Sequence, residues 1–261
     1  MGPGRLPLGP GQEGRPPWSP TERQIAVIAG VVLVVLVVLV KVHRITYDEV
    51  LFFAALVPSI ILHEVSHGVV ALALGDDTAK RAGRLTLNPL AHIDLLGSLI
   101  LPAIMIATAG VAFGWAKPVP VAVNRLRSPR NHVVLVGLAG PATNALLAAV
   151  FGAVFVFVTP AVTKELFMHT GSVSAFSVVS QFCLMGGFAN VLLGVFNLIP
   201  IPPLDGSAVI ERLLPGHLLA GYYRIRMLML VPLIVVVLVF PGVIDSVVNP
   251  IFSFWGRLVG L

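Results

Sequence analysis

Charge is scarce in this sequence. Only 11% of its 261 residues are Asp, Glu, Lys or Arg, less than half the roughly 25% of an ordinary soluble domain. So little polar surface excludes a chain that stays in water on its own, and a disordered one. Cysteine is almost missing. The lone Cys183 can form no internal disulfide, which excludes a secreted disulfide scaffold. Acid is scarcer than base, 12 against 17, for a net charge of +5. On so apolar a chain that excess reads as basic loops that set membrane orientation, not as a nucleic-acid surface. What is abundant is hydrophobic: 57% of residues, with a mean hydropathy of +0.95. The bilayer is the solvent this composition suits.

Residues 1–22 are rich in Gly and Pro. They cannot build a core, read as a disordered tail, and do not resemble a cleaved signal peptide. Five apolar stretches follow, at about 25–42, 50–74, 132–158, 174–198 and 227–244. Each approaches the roughly 20 residues a helix needs to cross hydrocarbon. A sixth, 95–113, is interrupted by Gly97, Pro102 and Gly110. The expected fold is an all-α polytopic membrane protein with five to six transmembrane helices. A first helix and loop would occupy 23–49 and a core 50–245. The aromatic stretch 246–261 would be interfacial or an incomplete extra span.

No Lys or Arg falls well inside these stretches. Of the acids, only Glu64 is deep in one, and Asp205 stands just beyond another. An ionisable group at membrane depth is costly and marks function by default. Glu64 shares its helix with His63 and His67, in the run His-Glu-Val-Ser-His. Four residues apart, the histidines lie on one helical face, spaced to hold one zinc ion with the glutamate beside them. The bland alternative is a polar cluster that bonds neighbouring helices.

Two histidines leave a catalytic zinc one protein ligand short. Outside the tail the carboxylates are Asp48, Glu49, Glu64, Asp76, Asp77, Asp94, Glu165, Asp205, Glu211 and Asp245. Asp205 stands out because Pro200, Pro202 and Pro203 break the helix before it. Non-helical backbone at membrane depth is tolerated where it lines a cavity. Asp205 is then either a ligand or the N-cap of the next helix.

Three motifs in order, HEVSH at 63–67, GPATN at 140–144 and NLIPIPPLDG at 197–206, resemble the site-2 protease family of intramembrane zinc metalloproteases, peptidase family M50. The run FGWAKPVPV at 113–121 resembles a strand-like element near the site in compact members without a PDZ domain. The resemblance implies one zinc held by His63, His67 and Asp205, with Glu64 as general base. It implies that Asn197 contacts substrate or the oxyanion. Asn144, in a small-residue run suited to close helix packing, either bonds across that contact or touches the site. The implied reaction is hydrolysis of a peptide bond within or near a transmembrane helix of a membrane-protein substrate. A regulator's cytoplasmic fragment would be released, from a substrate another protease has already trimmed.

Geometry and charge then bear on the sixth stretch. If 95–113 crossed, Asp205 would lie at the membrane face opposite the histidines. If it enters and returns on one face, the three motifs converge. In that case 13 of the 17 Lys and Arg lie on the tail's side and 4 on the other; a full crossing gives 8 and 9. The re-entrant arrangement therefore places the site toward the cytoplasm of a bacterial inner membrane.

The extended run Ala116–Val121 reads either as an edge strand that could pair with an unwound substrate or as an interfacial loop. His92 and Asp94 read as a loop or cap, or alternatively as supports for the metal ligands or a second ligand set. The rivals from other classes are a metal-binding transporter, which also places polar groups at mid-membrane, and a catalytically inactive scaffold.

Overall fold

The computed structural model describes residues 47–94, 116–170, 176–226, 228 and 241–261. The chain divides into two units, Met1–Tyr47 and Asp48–Leu261, and nearly all the described residues belong to the second. The tail, the predicted first span, the stretch 95–113 and most of 227–244 lie outside the described residues.

Helix α1 spans Tyr47–Ala73, α2 Pro129–Val158, α3 Ala161–Thr170, α4 Val178–Leu198, α5 Ser207–Leu213, α6 Gly216–Arg226 and α7 Pro241–Val259. Among the described residues α1, α2 and α4 are long and apolar enough to cross a bilayer. They fall on the second, third and fourth predicted spans. The protein is all-α, and no strand occurs among the described residues.

These helices are inverted relative to those of a soluble protein. On α1 the buried positions include Ala55, Ser59, His63, His67 and Ala71, an i, i+4 stripe that is small or polar. On α2 Val136, Gly140, Asn144, Ala148 and Gly152 repeat the pattern. Large apolar side chains point outward instead. Leu146 is 65% exposed while Asn144, two residues away, is 0% exposed. Lipid tails are as apolar as leucine, so helices associate through close packing and hydrogen bonds rather than by hiding oily surface.

Helix α4 lies against both α2 and α7. Phe155, Phe176, Leu184, Val191, Trp255 and Val259 form one apolar core with Ala148 and Cys183. The Trp255 ring rests on a bare glycine, since a Cβ at Gly187 would meet it at 2.1 Å. Its indole N–H donates to the Ala148 carbonyl (3.1 Å). Part of the stretch 246–261 thus packs into this core. Helix α7 runs through Pro250. Membrane helices accept such a proline where neighbours satisfy the freed backbone.

The C-terminal end of α1 and the N-terminal end of α2 meet. The Arg127 N–H donates to Leu74 O (3.0 Å), and the Lys117 N–H donates to His92 O (2.8 Å). The flanks on either side of the undescribed stretch therefore lie together at one end of the helices. The same end receives the loop after α4: the Arg212 guanidinium donates to the Asn131 side chain, and that of Arg130 to Leu214 O.

Candidate metal centre

Helix α1 presents His63 and His67 from one face, and Asp205 reaches them from the loop between α4 and α5. That loop is folded back tightly. The Gly206 N–H donates to Asn197 O (2.7 Å), and a Cβ at Gly206 would lie 2.2 Å from Leu198 O. Only glycine permits this approach. Asp205 is not a side-chain cap: Gly206 takes the N-cap position of α5, which has no side-chain cap bond. The Asp205 Oδ2 atom instead lies 2.9 Å from His63 Nε2 and 3.3 Å from His67 Nε2.

The proton positions show what this cluster lacks. His67 Nδ1 is 2.7 Å from Val136 O. A carbonyl can only accept, so Nδ1 carries the hydrogen and Nε2 of the neutral ring holds a lone pair. His63 Nδ1 faces Asn144 Oδ1 at 2.5 Å, which assigns its hydrogen in the same way. Two imidazole lone pairs and a carboxylate oxygen thus converge, with ligand atoms within 4.8 Å of one another. His67 Nε2 and Asp205 Oδ2 are buried with no hydrogen-bonding partner. Buried electron-rich atoms this close are held together by a shared cation, either a proton on an imidazole Nε2 or a metal ion. Two imidazoles and one carboxylate, each ring fixed by a bond at its other nitrogen, make a donor set that suits zinc.

Glu64, one position from His63, points elsewhere. Its Oε2 accepts the Val119 N–H at 2.9 Å. Pro118 and Pro120 have no N–H, so Val119 is the one backbone donor in that triplet. Arg84 braces the run from outside, donating to the carbonyls of Lys117 (2.9 Å) and Pro118 (3.3 Å). The segment read as strand-like is an extended loop over Glu64, without strand pairing among the described residues.

Asn144 lies behind His63, fully buried. Asn197 is half-buried, and its amide donates to Leu193 O (3.0 Å) on its own helix. His92 is buried in the loop, with Nε2 bonded to Thr86 O (2.9 Å), outside the ligand cluster. Asp77 pairs with Arg81 and Arg125. Tyr223 donates to Glu211. Neither carboxylate joins the histidines; among the described residues only Asp205 does.

Asp76 anchors the loop beyond Glu64. Its carboxylate accepts from the Thr78 N–H (3.0 Å), the Thr78 hydroxyl (2.5 Å) and the Ala122 N–H (2.6 Å). Burial alone would raise its pKa, but these bonds and the charge of Arg125 hold it below the ordinary value. The stabilisation is therefore full above the usual carboxylate range and is lost as pH falls through the lower folded value. Asp76→Asn turns an amide donor toward the Ala122 or Thr78 donors. It should cost about 1.5–3 kcal/mol and narrow the difference in thermal stability between neutral and acidic buffer, read by melting in detergent.

Sequence reasoning passed over Ser59 and Asn190, and gave Gly140 no role of its own within GPATN. Asn190 offered a signal, an amide in an otherwise apolar helix, but it lies outside the three motifs that marked Asn144 and Asn197.

The model of peptidase family M50 matches residues 51–239, a span that contains every residue of this centre. The chain belongs to that family. This M50 member is 42% identical over 161 residues to a Bacillus subtilis protein named "Putative zinc metalloprotease YwhC", covering 61% of this chain and 67% of that one. It is 33% identical over 163 residues to "Putative zinc metalloprotease Rip2" of Mycolicibacterium smegmatis, covering 62% and 56%. Against the Rip2 of Mycobacterium tuberculosis H37Rv the figures are 32% over 162 residues, 62% and 56%. The matches thus span a little over half the length of the mycobacterial relatives. No solved structure matches the chain. The M50 assignment makes the protein a metalloprotease of the zinc type, and its apolar helices make it a membrane protein.

Proposed function

We propose that the chain is an intramembrane zinc endopeptidase that hydrolyses a peptide bond within or near a transmembrane helix of a membrane-protein substrate. The observation that carries this reading is the convergence of His63 Nε2, His67 Nε2 and Asp205 Oδ2, buried among apolar helices. These three residues would hold one zinc ion. When bound, zinc lowers the pKa of a water from 15.7 to about 7 and polarises a carbonyl.

The chain's own groups supply the rest. Glu64 takes the proton of the attacking water and gives it to the leaving amine. Val136 O and Asn144 fix the two imidazoles. Asn197, at the end of α4 beside the Asp205 loop, is the candidate contact for substrate or the developing oxyanion once its amide leaves Leu193 O. The extended run Ala116–Val121 over Glu64 is the candidate surface for an unwound substrate segment, which would add to it as a strand.

The positive-inside rule places the metal end toward the cytoplasm of a bacterial inner membrane. The basic residues of loops 75–94, 116–128 and 199–226 support that orientation. His67 is six residues from the end of α1, roughly 9 Å deep at 1.5 Å per residue.

Purified full-length chain should carry about one zinc per molecule, as the ligand set implies, and cleave members of a panel of transmembrane-helix substrates. Chelation should remove cleavage and added zinc restore it. A chain that binds no zinc, or cleaves equally well after chelation, overturns the proposal.

A further inference from the structure

His63 is fixed by more than its immediate neighbour. Asn144 Nδ2 donates to Asn190 Oδ1 (2.9 Å). Asn190 Nδ2 donates to Gly186 O (2.8 Å) and to Ser59 Oγ (2.8 Å), and the Ser59 hydroxyl donates to Ala55 O (2.8 Å). Asn144 and Asn190 are 0% exposed and Ser59 is 2% exposed, so water has no access to substitute for any of these bonds.

The direction of this chain is fixed at its far end. An amide side chain can be turned over, exchanging oxygen for nitrogen. Gly186 O is a carbonyl and accepts only, so it selects the Asn190 orientation with Nδ2 toward it. Asn190 Oδ1 then faces Asn144, which must present Nδ2 there and Oδ1 to His63. An acceptor at that point holds the hydrogen on His63 Nδ1 and leaves Nε2 as the ligand atom. Reversing Asn144 would set an amide N–H against Nδ1 and favour the tautomer that cannot ligate through Nε2.

We propose that Asn190 is a positioning residue for the metal centre, holding Asn144 in the orientation that keeps His63 Nε2 free to ligate. The inference rests on the zinc reading given above. Partners that orient metal-bound histidines typically change metal affinity by about 10- to 100-fold when lost. Ser59 is secondary, because Gly186 O alone suffices to orient Asn190.

The test is zinc affinity of the full-length chain in detergent, by competition with a chromophoric chelator. Helicity and monodispersity are measured alongside. Asn190→Leu, close in volume, removes the acceptor for Asn144 and should weaken zinc binding by about 10- to 100-fold. Asn190→Asp should restore most of the affinity. Burial keeps that carboxyl protonated, so its C=O accepts from Asn144 and its O–H donates to Gly186 O. Ser59→Ala should bind zinc nearly as the wild type does. If the leucine variant does not fold, Asn190→Ala makes the same comparison with a smaller side chain.

A folded variant lacking the amide that binds zinc like the wild type overturns the proposal. So does an aspartate variant as weak as the leucine one, because bulk packing would then explain both. A wild-type chain without zinc affinity overturns the zinc reading itself, and is told apart from the other outcomes by needing no variant.

Discussion

Glu64→Gln should abolish peptide cleavage and leave zinc content unchanged. Proton transfer by a positioned side chain contributes roughly 10²–10⁴-fold, enough to take cleavage below detection. The amide has the carboxylate's shape and can still accept the Val119 N–H, so the loop over the site keeps its bond. Zinc should stay because Glu64 is outside the cluster of His63, His67 and Asp205. Metal analysis and cleavage of the same substrate by both proteins decide the matter. Loss of zinc would make Glu64 a ligand, and retained cleavage would remove it as the base. The variant also separates hydrolysis from metal transport. A transport site needs ligands only, whereas hydrolysis needs a base that is not one.

The metal centre was largely legible because it breaks the composition around it. His63, Glu64 and His67 are polar groups in an apolar helix, where chance placement is expensive. Their spacing alone puts both imidazoles on the stripe that the structure buries. Asp205 was legible as a choice. Three nearby prolines marked a broken helix, but ligand and cap were left equal, since both require an aspartate before a short helix. The fold-back at Gly206 turns Asp205 toward the histidines rather than onto the next helix, and it depends on contacts with Leu198 and Asn197 that no local pattern encodes. Asn144 stood between two readings for the same reason, because its partner His63 is 81 positions away in sequence. Asn190 and Ser59 lie outside the three motifs, and nothing in their spacing singles them out. An uncharged amide costs less at membrane depth, so it signals less, although here it supports a ligand.

Gly140→Ala should disable the metal centre with one methyl group. A Cβ at this position would lie 2.4 Å from His63 Nε2 and 2.5 Å from His67 Nε2, nearer than carbon and nitrogen can approach. Neither imidazole can yield without losing its other bond. His63 would pull away from Asn144, and His67 from Val136 O. Helix α2 cannot withdraw freely either. One turn earlier it meets the Asp205 loop, where a Cβ at Gly137 would be 3.0 Å from Asp205 O and 2.7 Å from the Ala208 Cβ. Overpacking of this kind costs about 1–3 kcal/mol, which corresponds to roughly 5- to 150-fold in binding. Because the strain falls on two ligands, zinc affinity should drop toward the upper part of that range and cleavage should disappear with it. Alanine is a better helix former than glycine by about 1 kcal/mol, so α2 itself should not suffer. The expected signature is a folded, helical protein that fails to retain zinc through chelator competition. Unchanged affinity would mean that the imidazoles do not sit against α2 as described.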